Sequence, residues 1–341
     1  MVLIAAILTL IAASGLFRAV DLAASDAFYQ SRSASDGKIV LVGIDQKALE
    51  EIGPYNQWGR DIIAMVLEAL NESEDCRPAA IAVDVLYSGE TNAKADAWLA
   101  EAAGQYGNVI TACAAEFGSA LIEDRAGDYY LDTFSITAFE EPYEALKRAS
   151  SQGHINAMMD TDGILRHHLL KLSLPDGTEV PSLALEAARM YRAYHGMEPV
   201  KLPPVDARGF WYLPFCGVPG DLYESISVAD LIFGEIPADY FAGKIVLIGP
   251  YAAGLQDSYL TAAEHAAPMY GVEFQANAVQ ALLWEDYKRE AGDGIQLAAL
   301  FAVLLFGLAA FRRKRLRVST LLWAALCGGS LLLCKVMYSR G

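Results

Sequence analysis

Residues 38–45 read KIVLVGID, and residues 244–250 read KIVLIGP. Each run opens on lysine, passes through four apolar residues rich in Ile and Val, and reaches a glycine. An unbroken apolar run of this kind suits a strand buried on both faces of a parallel sheet; a strand with one wet face would alternate. The glycine after each run lets the chain turn sharply or lets another group approach the backbone. The flanking sequences do not repeat, so the pair is not a solenoid signature. The expectation is two parallel strands of one sheet, adjacent or one strand apart, in a single domain.

Working outward, Asp61–Leu70 carries apolar residues at helical spacing, with Pro78 beyond its end. Ala79–Tyr87 (AAIAVDVLY) reads as a second buried strand, Ala93–Ala103 as a helix and Asn108–Ala112 as a third strand. Strand, helix, strand, helix, strand implies right-handed crossovers and a parallel sheet. Residues 114–180 are less regular, with an extended segment at Leu165–Leu174 entering a Pro-Asp-Gly turn. Ser182–Tyr194, Ser227–Phe233 and Gly271–Leu283 read as helices. The fold class is therefore α/β: a mainly parallel, three-layer sheet domain.

The mean hydropathy of +0.25 is high for such a domain, and the excess sits at the ends. Val2–Phe17, Ile295–Phe311 and Val318–Cys334 contain no charge. At ~1.5 Å per residue each reaches roughly 24–26 Å, close to the ~30 Å hydrocarbon core of a bilayer. A soluble core helix would show a polar face, and these show none. The first run lacks the positive n-region of a signal peptide, although small residues follow at Ala23-Ala24-Ser25, and it reads as an anchor. The expected organisation is an anchor over residues 1–20, a sensor-sized domain over 21–293, membrane helices over 294–311 and 318–338, and a basic loop over 312–317.

Charge orients the chain. All 42 acidic residues lie between Asp21 and Asp293, where they meet 18 Lys and Arg, a formal charge of −24. Arg312, Arg313, Lys314, Arg315 and Arg317 sit between two apolar runs. Short basic loops stay cytoplasmic, so this loop is expected inside and the acidic domain outside. Anionic lipid headgroups are the expected neighbour of the basic loop. The acidic domain would repel phosphates, which argues against nucleic acid. The third span would then end outside, so a cytoplasmic domain would need a further span after Gly341. Cys76, Cys113 and Cys216 allow at most one disulfide in the outer domain and read as buried small apolar residues.

The chain has no GxSxG, HExxH or P-loop. Asp45 and Asp84 fall at or near C-terminal strand ends, where open α/β sheets hold ligands, and Asp257 follows a third such strand. Three carboxylates there suit a cation such as Ca²⁺ or Mg²⁺, or they cap helices and pair with Arg60 and Arg166. The metal question stays open, and no cofactor is expected. Asp160-Thr-Asp162-Gly163 resembles the start of a calcium loop without its downstream glutamate, and reads as an Asx-stabilised turn. His154, His167 and His168 cluster in sequence, but a strand sends 167 and 168 to opposite faces, so they read as structural.

Nine fragments, in order, resemble the second type of CHASE domain: VGID at 42–45, WGR at 58–60, AVDVLY at 82–87, GNV at 107–109, GHINAMMDTDGILR at 153–166, SLALEAA at 182–188, FAGKIVLIGP at 241–250, GLQD at 254–257 and GVEFQAN at 271–277. The resemblance spans nearly the whole outer domain. It departs from the family pattern at Gly59, often Pro; at Thr261-Ala262, often Thr-Pro; and at Gln275, commonly His. It implies an extracytoplasmic sensor that feeds a cytoplasmic cyclase or kinase, and the residues themselves point to a non-enzyme. Asn156 and Glu273, inside matching fragments, join Asp45, Arg60, Asp84, Arg166 and Asp257 as candidate ligand-binding residues. The expected partners are membrane lipid, an unidentified extracellular ligand or protein, and a second copy of the chain. The alternative is a membrane-anchored hydrolase or metal-dependent enzyme using the aspartates; the lack of a nucleophile with a base disfavours it.

Overall fold

The two KIVL runs lie side by side in the computed structural model, which describes residues 1–29, 35–123, 129–285, 287–311 and 316–340. Strands β1 (Ile39–Ile44) and β11 (Ile245–Pro250) pair in parallel, with Ile39 opposite Ile245 and Gly43 opposite Gly249. Between them in sequence come β2 (Ala80–Val83), β3 (Val109–Glu123), β4 (Tyr129–Glu140), β5 (Ser151–His154), β6 (His167–Leu169), β7 (Lys171–Ser173), β8 (Glu179–Pro181), β9 (Phe210–Tyr212) and β10 (Glu224–Ser227). A short hairpin, β12 (Ser258–Thr261) and β13 (Glu264–Tyr270), follows β11. The parallel sheet runs β10, β1, β11, β2, β3, β5. β11 inserts between β1 and β2, so the late run completes a sheet that the early run began.

Helices cover both faces. On one lie α3 (Gln46–Glu51), α4 (Asp61–Leu70), α5 (Ala93–Gly104), α6 (Glu144–Ala149) and α8 (Val228–Ile232). Their apolar sides meet Val40, Val42, Ile81, Val83, Val246 and Ile248, and Ile63, Leu67, Leu99 and Leu146 are fully buried there. On the other face α7 (Leu183–Tyr194) and α9 (Gly271–Trp284) pack on each other and on the sheet. The predicted three-layer α/β architecture is the one observed. Helix starts follow their capping residues. Asn92 accepts from Lys94 and Ala95 at α5, Ser182 from Leu185 at α7, and Ser227 with Asp230 forms a capping box at α8.

The repeated glycines have a specific cause. A Cβ on Gly43 would lie 2.8 Å from Tyr251 Cβ, and one on Gly249 would lie 3.0 Å from Val272 Cβ and 3.2 Å from Asp84 Cβ. The chain leaving β11 and the start of α9 press on the sheet at this pair of register partners, so neither position has room for a side chain.

The less regular segment holds a feature the sequence did not announce. β3 continues past Ala112 and pairs antiparallel with β4 as a long ribbon. The ribbon packs Ala115, Phe117, Ile136 and Phe139 against Leu169, Leu172 and Phe210, and a strand pair covered on only part of one face needs no continuous apolar run, which is why the pattern was silent. The second strand is also shorter than residues 79–87, since the chain leaves the sheet at Asp84.

The chain divides into two compact units, Met1–Gln30 with Tyr287–Gly341, and Ser31–Asp286. The first unit contains α1 (Val2–Ala13), α2 (Arg18–Tyr29), α10 (Asp293–Phe311) and α11 (Leu316–Arg340). Asp293–Ala310 and Val318–Ser339 are long and apolar enough to cross a membrane. The first apolar run differs from a single straight span: α1 and α2 meet at a 78° bend, with Gly15 at φ 77° between them. Residues 312–315 of the basic loop lie outside the described residues.

Candidate functional site

All strands of the parallel sheet end on one edge, and a cavity of about 200 Å³ opens there. It is lined by Asp84, Val85 and Leu86 after β2, Ile155 and Ala157 after β5, Pro250 of β11, Asp257 and Tyr259 beyond it, and Gly271, Phe274 and Gln275 of α9. The floor is buried and the rim, including Asp257 and Tyr259, is half-exposed.

Asp84 sits on the floor, 5% exposed. Its backbone N–H still donates to Ile248 O at 2.7 Å, which fixes the residue at the sheet edge. Burial pushes its carboxyl well above the usual carboxylate range, and the neighbouring Asp257 adds to the rise. Burial raises the Asp257 carboxyl too, against a hydrogen bond from Tyr259 that lowers it. Asp257 lies over the start of α9: a Cβ on Gly271 would fall 2.3 Å from its carboxylate oxygen. Its carbonyl accepts the Gly271 N–H at 3.1 Å. Gly271 is therefore the residue that lets a carboxylate rest on that helix end, where the positive end of the helix dipole favours it.

The structure brings Asp84 and Asp257 together and sends the other candidates elsewhere. Asp45 caps α3, accepting from Ala48 N at 2.8 Å and from Ser227 Oγ at 2.6 Å. It does not line the cavity. Arg60 is buried beside Asp96, Nη1 to Oδ1 2.7 Å, and also donates to the carbonyls of Ser88 and Gly89. Its guanidinium lies 4.4 Å from the Tyr143 ring centroid. Arg166 pairs with both Asp160 and Asp162 at 2.8 Å, closing the Asp-Thr-Asp-Gly turn. Asn156 clamps β3 by bonding both the N–H and the C=O of Ala115. Glu273, 3% exposed, accepts from Gly220 N at 2.8 Å and from Tyr270 N at 3.2 Å. The Tyr251 hydroxyl donates to it at 3.3 Å. These interactions account for Asp45, Arg60, Asn156, Arg166 and Glu273 as framework around the edge. Among the described residues no three His, Cys, Asp or Glu side chains gather as a metal would need.

Sequence reasoning passed over Gln275 as a site residue, along with Phe274 and Tyr259. Phe274 and Gln275 lie inside GVEFQAN, but helical periodicity reads them as core; only β11 and α9 meeting at the sheet edge turns them to a cavity wall. It also missed the pairing of His154 with His168, whose rings are 6.5 Å apart. His168 accepts from Trp211 Nε1 at 3.3 Å and its other ring nitrogen lies 3.5 Å from Gln275 Oε1. Neither ring nitrogen of His154 has a hydrogen-bond partner among the described residues. Burial lowers both, His154 well below the usual range and His168 to about 4.

No curated protein and no solved structure matches the chain. The CHASE2 domain matches residues 2–310, nearly the whole chain, so this protein belongs to the CHASE2 family, the extracytoplasmic sensory domains of signalling receptors.

Proposed function

We propose that this chain is the input region of a bacterial transmembrane receptor, and that the strand-end cavity is where its stimulus binds. The observation that carries this reading is Asp84 together with Asp257. Two carboxyl groups, one buried and one half-exposed, share a pocket at the carboxyl edge of a parallel sheet, the position at which open α/β folds take ligands. A folded domain has no structural use for an unpaired buried acid, whereas a receptor uses one to gain a contact only its ligand can make. In this reading the domain lies outside the cell and the apolar helices cross the membrane several times. Residues 312–317 face the cytoplasm beside anionic lipid, two copies associate, and a cyclase or kinase reads the result. α9 contributes Gly271, Phe274 and Gln275 to the cavity and is followed along the chain by α10, so a ligand that shifts α9 is covalently coupled to a span.

The test is a chimaera in which the chain is joined, through one added membrane helix, to a cytoplasmic adenylate cyclase. Asp84→Asn and Phe274→Trp should each change cyclic AMP output in cells, while Asp176→Asn, on a distant exposed turn, should not. Unaltered output from both cavity variants, in chains that insert and fold, would refute the cavity as the sensing site.

A further inference from the structure

The chemistry of the cavity narrows its ligand. Among the described residues its walls carry two acidic side chains and no Lys, Arg or His. The three buried arginines among the described residues of the domain are committed elsewhere, Arg60 to Asp96, Arg166 to Asp160 and Asp162, and Arg192 to Glu285. Asp84 is 95% buried and lines the cavity, and among the described residues its carboxyl feels burial and the like charge of Asp257, with no hydrogen bond to offset them. A buried carboxylate without a donor is costly, and a ligand that supplies a donor and a positive charge removes the cost. That chemistry favours a cation as the occupant, since a positive charge stabilises the ionised form of both acids.

A bare metal ion suits the site poorly. Calcium takes about 6–8 oxygen ligands, whereas beside the two acids the walls offer only Tyr259 and Gln275 as polar side chains, the rest being Val85, Leu86, Ile155, Ala157, Pro250, Gly271 and Phe274. Those apolar walls need an apolar body to cover them. Phe274 and Tyr259 add aromatic rings to the lining, the groups that attract ammonium ions. An apolar cavity of ~150 Å³ accommodates benzene, so about 200 Å³ fits an organic molecule of comparable or slightly larger size. We propose that the cavity binds a small aliphatic amine in its ammonium form, held by Asp84 and Asp257 and covered by Phe274 and Tyr259. This rests on the reading of the cavity as the sensor's ligand site. Because burial and Asp257 favour the protonated Asp84 carboxyl in the empty pocket, an arriving ammonium should displace that proton.

The experiment is isothermal titration calorimetry of the full chain in lipid nanodiscs at pH 7, with butan-1-amine as probe. Butan-1-ol serves as the uncharged match and calcium chloride as the metal arm. The expected result is saturable amine binding, with butan-1-ol much weaker. The binding heat should vary with the ionisation enthalpy of the buffer, as proton release requires. Asp84→Asn should weaken amine binding roughly tenfold to a hundredfold, the range for a lost charge-assisted hydrogen bond. Asp257→Asn, at the half-exposed rim, should weaken it by a smaller factor and guards against misfolding of the floor variant. Equal binding of amine and alcohol, or amine binding indifferent to both substitutions, overturns the proposal. Calcium binding that Asp84→Asn abolishes, without amine binding, overturns the amine and leaves the cavity as the sensing site. Loss of the sensing site itself is read separately, from the cyclase chimaera.

Discussion

Arg60 and Asp84 are both buried ionisable residues near the same sheet, and their surroundings give them opposite consequences. The Arg60 and Asp96 side chains are 8% and 6% exposed and in contact. Burial works against the Asp96 carboxylate, but the Thr91 N–H and the Arg60 guanidinium outweigh it and hold the group below the usual range. Removing one partner strands the other charge, so Arg60→Ala should destabilise the protein by about 3–5 kcal/mol, measured by thermal or denaturant unfolding. A loss below about 1 kcal/mol would show that water replaces the guanidinium. Asp84 has no such partner. Its raised carboxyl pKa means the folded state holds a proton the unfolded state has released. Stability therefore falls as pH rises from the ordinary carboxylate range through the raised value. Asp84→Asn should raise the melting temperature at pH 8 more than at pH 5. An equal effect at both would mean that the acid is not perturbed. The same substitution is expected to impair binding, which makes Asp84 a residue that costs stability where it serves function.

At the scale of elements, the register partners Gly43 and Gly249 decide how closely the second helical layer sits. Adding a methyl group at Gly43 puts it 2.8 Å from Tyr251 Cβ, and at Gly249 3.0 Å from Val272. These contacts are to Cβ atoms, which move only with their backbone. Gly43→Ala and Gly249→Ala should each cost about 1–3 kcal/mol as overpacking. Gly249→Ala also presses on Asp84 and the first turn of α9, so it should perturb the cavity as well as stability, whereas Gly43→Ala should act on stability alone. Comparing unfolding with probe binding for the two variants separates these effects; equal loss of binding in both would contradict the assignment. The sequence shows both glycines at equal distance into equal runs, but not which segment presses on them. That depends on β11 returning to lie beside β1.

For the whole molecule, two sets of groups limit stability from opposite sides of the pH scale. His154 and His168 are buried and held low, His168 to about 4. A histidine lowered in the folded state contributes stability that is present above its unfolded value of ~6.5 and is lost as pH falls toward the folded one. For His168 the loss between pH 7 and pH 5 is about 2 kcal/mol by the same linkage, and His154 adds to it. Asp84 acts in the other direction. The melting temperature of the full chain in detergent should therefore pass through a maximum between the two, and His154→Leu should reduce the acid-side slope. A flat profile between pH 5 and 7 would refute it. Topology is the other whole-molecule property. In a chain freed of its native cysteines, a membrane-impermeant thiol reagent applied to intact cells should label Asp176→Cys and not Lys314→Cys. Labelling of the second alone would reverse the orientation read from the basic residues.

Composition and periodicity determined much of this protein on their own. The twin KIVL runs, the strand–helix alternation and the uncharged terminal runs are local patterns, and burial on both faces or contact with lipid leaves a direct mark on which residue types are tolerated. The parallel pairing of residues 39–44 with 245–250 followed from that mark. The edge position of Asp45 and Asp84 was legible for the same reason, because a polar residue ending a buried strand must lie at the sheet edge; Asp257, beyond the end of β11, reaches that edge only through the fold. Which of them meet was decided only by the tertiary structure. Asp45 turned to cap α3 and bond Ser227, Arg60 went to Asp96, and Arg166 closed its own turn. Those choices depend on contacts between residues far apart in the chain, as Ser227 is from Asp45, and no local pattern encodes them. The cavity is of the same kind. It exists because β11 inserts between β1 and β2 and carries α9 across the sheet edge, leaving Asp84 facing a space that its own segment neither fills nor neutralises.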